Sequence, residues 1–178
     1  MRKVADHNPA RRILWVIGIA IGVLAGFINA HLGIDMCLSP SLFGWLLASL
    51  VVVVLLHEGL HAAVAALLGH KTLFGFHPPL VYVTFTDKLP RGQYMLVAIT
   101  PFAILNLLFG FLFARGVLNL LCDLSLIVNS IGSMGDIWVV LKLAGGPRGA
   151  LIQDTKSGFE VWISDGPTKP DLGISKEV

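Results

Sequence analysis

His57–Glu58–Gly59–Leu60–His61 forms an H-E-x-x-H pattern. On a helix, positions i and i+4 stand one above the other on the same face, so both imidazoles can reach one metal ion with Glu58 beside it. Zinc accepts nitrogen and oxygen ligands and keeps a coordination position for water, whose proton a neighbouring carboxylate can take. The pattern therefore carries the parts for hydrolysis at a metal. Catalytic zinc usually has three protein ligands, and Asp123, Asp136, His70 and His77 are the candidates for the third.

The surroundings of the pattern are apolar. Of the 178 residues, 55% are hydrophobic and only 13% charged, with a mean hydropathy of +0.79. Soluble domains carry about 25% charged residues, so both an ordinary soluble globule and a disordered chain are excluded. The net charge of +2 is too small to imply a nucleic-acid partner. Four apolar runs, 13–33, 42–69, 93–114 and 117–143, are each long enough to cross a bilayer core. The expected fold is an all-α membrane protein of four transmembrane helices, with a small cytoplasmic β-hairpin between the second and third and a short cytoplasmic tail. Residues 1–144 form the membrane domain in this reading, and 145–178 the tail. The first run is too long for a signal-peptide core and no clear cleavage site follows it, so it is read as a retained helix.

Positive residues report sidedness. Twelve of the thirteen lysines and arginines fall before the first run, between the second and third, or from the end of the fourth onward, where Lys142 stands; only Arg115 lies on the other side. Both termini are expected in the cytoplasm of a multi-pass protein, in a prokaryotic cell membrane. Cys37 and Cys122 then map to the outer side, too far apart in sequence for a CxxC motif. Gly18, Gly22 and Gly26 form a doubled GxxxG that suits close helix packing.

Between the second and third runs, the stretch 81–86 is the clearest strand, after the breaker Pro78–Pro79. Such a strand can pair with an extended substrate, and a packed hairpin with no substrate role fits the same residues equally well. A second hairpin-like stretch lies in the tail, 150–154 and 159–163 around Lys156–Ser157–Gly158.

An ionisable side chain at the centre of an apolar span costs about 2.5–3.5 kcal/mol on insertion scales and marks function by default. In the fourth run, Asn129, Gly132, Ser133 and Asp136 lie at i, i+3, i+4 and i+7, a polar or small stripe that should face the bundle interior. Depth then separates the aspartates. At about 1.5 Å per residue, Asp136 lies roughly 9 Å from the inner end of its run, and His61 and His57 roughly 12 and 18 Å from the end of theirs. Asp123 lies near the outer surface and is read as a water-exposed helix start. Asp136 is therefore the preferred third ligand, with His70 and His77 read as interfacial loop residues and His77 held in reserve. Asn129 is a candidate to orient substrate or stabilise an oxyanion, or to make an interhelical hydrogen bond.

His57–Glu58–x–x–His61 on one apolar helix and Gly135–Asp136 on a later one resemble the site-2 protease type of intramembrane metalloprotease. The short layout is more closely similar to a family of membrane-embedded zincin metallopeptidases. The resemblance covers about 42–143. It implies one zinc ion held by His57, His61 and Asp136, Glu58 as general base, and a membrane or membrane-associated protein as substrate. Ser133–Met134–Gly135–Asp136–Ile137 lacks the proline and the following glycine that site-2 proteases carry around their aspartate. The alternatives from other classes are a metal-binding scaffold without turnover and a metal ion or proton transporter.

Overall fold

The computed structural model describes residues 1–7, 16–25, 40–77, 80–155 and 158–163. Five helices are present among them: α1 (Val16–Ala25), α2 (Pro40–Leu67), α3 (Arg91–Ala114), α4 (Asn119–Gly132) and α5 (Met134–Ala144). Six strands accompany them: β1 (Arg2–His7), β2 (Thr72–His77), β3 (Leu80–Phe85), β4 (Leu89–Pro90), β5 (Leu151–Thr155) and β6 (Gly158–Ile163).

The long apolar helices have residue-level causes. Proline opens α2, where its missing N–H has no helical partner to lose. Both α2 and α3 close on a glycine with φ near +80°, Gly69 at 83° and Gly116 at 73°. In each case the two following N–H groups bond back into the last turn: Gly69 to Ala66 and His70 to Ala65, then Gly116 to Phe113 and Val117 to Leu112. These are Schellman closures, and a side chain at either glycine would be strained. The outward faces keep large apolar side chains bare, Phe43 at 70% and Leu107 at 74% exposure among them, an apolar surface that marks an interaction face.

The expectation of a plain four-span, all-α protein is overturned in two respects. First, the run 117–143 is not one helix: α4 and α5 meet at Ser133 with a 44° bend. Gly132 and Ser133 are weak helix formers at that point, and the bent α5 packs against α3. Among the described residues, two helices are long and apolar enough to cross a membrane, three if α4 and α5 count as one span. Only ten residues of the first run are described, as α1; the rest of 13–33, together with Cys37, lies outside the described residues.

Second, strands are a substantial part of the fold. β2 and β3 pair antiparallel as the expected hairpin, and β4, β5, β6 and β1 build a four-stranded sheet in the order β1-β6-β5-β4. The hairpin in the tail is β5–β6, close to its expected bounds. β1 is not among the expected strands: six residues of the N-terminal segment, read only for their positive charge, pair with β6, and Lys3 meets Glu160 at 2.6 Å across the pair. Cross-strand charge pairing of this kind stabilises a sheet but leaves no apolar signature in the sequence.

Two apolar cores result. Val53, Leu105, Phe109 and Cys122 pack between α2, α3 and α4. Ala65, Leu89, Val97, Leu143, Ile152 and Phe159 join the helix ends to the four-stranded sheet. The tail sheet is thus seated on the helices, with Ile152 and Phe159 fully buried. The packing role expected of the first helix is met by Gly18 and Gly22. A Cβ built on them would come within 3.1 and 3.5 Å of Ile131 in α4, so both helices approach as small residues allow.

Candidate metal centre

On α2, Ser49, Val53, His57, His61 and Ala65 recur every four residues. Val53 belongs to the bundle core and Ala65 to the core under the sheet, so the two histidines sit at the junction. The bend at Ser133 aims the first turn of α5 at the same place. Asp136 arrives with Oδ2 3.1 Å from His57 Nε2 and Oδ1 3.6 Å from His61 Nε2, while the two Nε2 atoms lie 3.1 Å apart. Ligand atoms about 2.0–2.1 Å from a tetrahedral zinc stand roughly 3.3–3.4 Å from one another. The two imidazole nitrogens lie near that separation and one carboxylate oxygen of Asp136 reaches each of them, so the residue types and their spacing suit zinc.

The remaining ring nitrogens explain why Nε2 is the atom presented on each histidine. His57 Nδ1 faces Asn129 Oδ1 at 3.1 Å, and His61 Nδ1 faces the Val97 carbonyl at 2.9 Å. Carbonyl oxygens only accept, so each Nδ1 carries the proton and each Nε2 keeps its lone pair. The Asn129 orientation is consistent with its neighbours: its Nδ2 donates to Asn106 Oδ1 at 3.3 Å and to the Phe102 carbonyl at 3.5 Å.

The Val97 carbonyl is available for a reason written in the sequence. Four residues on stands Pro101, inside α3, and proline has no N–H to return to it. A carbonyl freed in this way is satisfied by a neighbouring group, and here the neighbour is His61. Pro101→Ala would restore a competing helical donor. Zinc affinity, measured by competition with a chromophoric chelator, is expected to fall about tenfold, the lower end of outer-ligand effects; an unchanged affinity would remove this role from Pro101.

Glu58 flanks the histidines, and its Oε2 accepts the Val83 N–H at 2.9 Å. The β3 strand therefore lies along the site. A cavity of about 90 Å³ opens between them, lined by His61, Val83, Tyr94, Asp136 and Asp154; it has room for several waters.

Asp123 is buried, 7% exposed, and lies in the second turn of α4. The reading of it as a water-exposed helix start is wrong: Asn119 at the start of α4 is exposed, but one turn later Cys122, Asp123, Leu124 and Ser125 are all buried. It does not join His57, His61 and Asp136 in the metal-binding group found among the described residues. His70 bonds Gln93 Oε1 at 2.8 Å instead. The side chain of His77 lies outside the described residues.

Several partners of the site escaped the sequence. The Val83 N–H and the Val97 carbonyl are backbone groups, which no residue type announces. Tyr94 donates its hydroxyl to Asp154 Oδ1, and Asp154 Oδ2 accepts from Phe85 N–H at 3.2 Å. Burial pushes the Asp154 carboxyl above its ordinary range, against the pull of these donors. The one legible sign was an acid placed within an otherwise core-forming strand, Ile152 being fully buried two residues before it.

Two histidines one helical turn apart, a glutamate between them and an acid from a second helix define the metal-site class of the zincin-type peptidases. The chain belongs to the family described as "Putative zincin peptidase", whose model matches residues 50–151. Zinc is the metal this family implies. The chain is also 32% identical over 143 residues to a protein of Pyrococcus woesei described as an uncharacterized 24.7 kDa protein in the gap 5′ region. That similarity covers 78% of this chain and 63% of the relative. No solved structure matches the chain.

Proposed function

We propose that the protein is a membrane-embedded zinc endopeptidase of the site-2 protease type, cleaving membrane or membrane-associated proteins. The convergence of His57 Nε2, His61 Nε2 and an Asp136 oxygen within 4.8 Å, with Glu58 alongside, is the observation that carries the reading. Bound by those three residues, zinc supplies a Lewis acid for the scissile carbonyl and lowers the pKa of a water in the site toward about 7. Glu58 is the general base. With Oε2 held by Val83, its Oε1 is the oxygen that takes the water's proton and passes it to the leaving amine. Asn129 orients His57 rather than holding substrate.

The sheet side of the molecule, which carries most of the lysines and arginines among the described residues, faces the cytoplasm in this proposal. Substrate reaches the metal from that side. Pairing of an extended substrate with β3 is not needed, since the outward N–H groups of Val83 and Phe85 are already engaged. The test is cleavage of a single-span substrate co-reconstituted in liposomes. Metal stripping by a chelator is expected to stop cleavage and added zinc to restore it; cleavage that survives stripping would refute the proposal.

A further inference from the structure

β3 pairs with β2 along one edge only. In an antiparallel pair, alternate residues point their N–H groups at the partner or away from it. Thr86 N–H bonds the Lys71 carbonyl on the β2 side at 3.3 Å, so Val83 and Phe85 donate outward. Each of those outward donors ends on a carboxylate. Val83 N–H goes to Glu58 Oε2 at 2.9 Å, and Phe85 N–H to Asp154 Oδ2 at 3.2 Å, with Thr84 Oγ1 reaching the same oxygen at 3.4 Å. The two acids come from different parts of the fold, Glu58 from α2 and Asp154 from β5.

Asp154 is itself fixed. Tyr94 from α3 donates to its other oxygen, and Gln153 and Thr155 on either side pair with β6. A strand two residues long between its anchors, spanning about 6.6–6.8 Å, has little freedom to pivot. Holding Phe85 therefore holds Val83, and Val83 orients Glu58.

We propose that Asp154 is a positioning residue for the metal centre: the four-stranded sheet acts through it on β3, and through the Val83 N–H on the carboxylate of Glu58. This rests on Glu58 being the base, as proposed above. It also gives the tail sheet a part in the site, since Asp154 lies just past the residues that the family model matches.

The experiment has two independent readouts, on Asp154→Ala and on Asp154→Asn, which keeps an acceptor oxygen. The first is amide hydrogen exchange in the metal-free protein in detergent. In Asp154→Ala, exchange at both Phe85 and Val83 is expected to rise at least tenfold, with Asp154→Asn close to wild type. An unchanged Val83 would overturn the coupling, whatever the protein's activity. The second is turnover at equal zinc content. Asp154→Ala is expected to lower kcat about tenfold with KM within twofold of wild type, and Asp154→Asn to restore most of it. An unchanged kcat, or a loss confined to KM or to zinc content, would overturn the positioning role. Tyr94→Phe serves if Asp154→Ala does not fold: it removes one donor to Asp154, and a smaller rise at Phe85 and Val83 together is expected. A rise at Phe85 alone would count against the proposal. Absence of peptidase activity in the wild type would refute the enzyme reading and leave the exchange result standing.

Discussion

Glu58→Gln is expected to retain zinc and lose hydrolysis. The substitution keeps the size of the side chain and its Oε1-type acceptor, so Val83 N–H can still be received and β3 stays seated. What disappears is the ability to take a proton from water. General base catalysis is worth about 10²–10⁴-fold, a barrier increase of roughly 3–5.5 kcal/mol. The measurement pairs elemental analysis with the liposome cleavage assay. Zinc at the wild-type level with cleavage lowered by at least 100-fold is the expected result. Cleavage near the wild-type rate would remove Glu58 from the mechanism, and a scaffold that only binds metal would show no dependence on Glu58 at all.

Asp136→Ala is expected to empty the site. Only Asp136 joins α5 to the histidines of α2 in the metal group, and a catalytic zinc that falls from three protein ligands to two loses its hold. Zinc content after dialysis should fall from about one per chain to near zero, with cleavage lost in parallel. Asp123→Ala should retain zinc, because Asp123 lies on α4 outside that group. A normal zinc content in Asp136→Ala would mean that the third ligand lies elsewhere. The substitution also removes the acid beside two buried imidazoles, so the change in zinc is to be read alongside a thermal melt.

The site was more legible than the fold. His57, Glu58 and His61 are spaced by the helix itself, and within an apolar run their desolvation cost sets them apart from chance. Depth along the run points to Asp136, and the structure brings its carboxylate beside both histidines because it sits only one turn beyond the bend at Ser133. Asp123 differs from its expected exposure because burial along α4 sets in within one turn of the exposed Asn119, where the helix packs against α2 and α3. The strands were under-read for a different reason. Hydropathy counts are dominated by the long spans, and β1 holds to β6 through backbone bonds and the Lys3–Glu160 pair rather than through an apolar alternation.

The sequence by itself determined that the chain is apolar enough for a membrane and that one helix presents two imidazoles and a carboxylate on a shared face. Both follow from composition and from the helical repeat, which are local properties of the chain. Only the tertiary structure decided which nitrogen of each histidine is presented, since that depends on the Asn129 side chain and on a Val97 carbonyl released by Pro101. Tertiary structure alone also brought β3 and Asp154 to Glu58. Contacts of this kind join residues far apart in sequence through backbone groups common to every residue, so no pattern of residue types along the chain could have announced them.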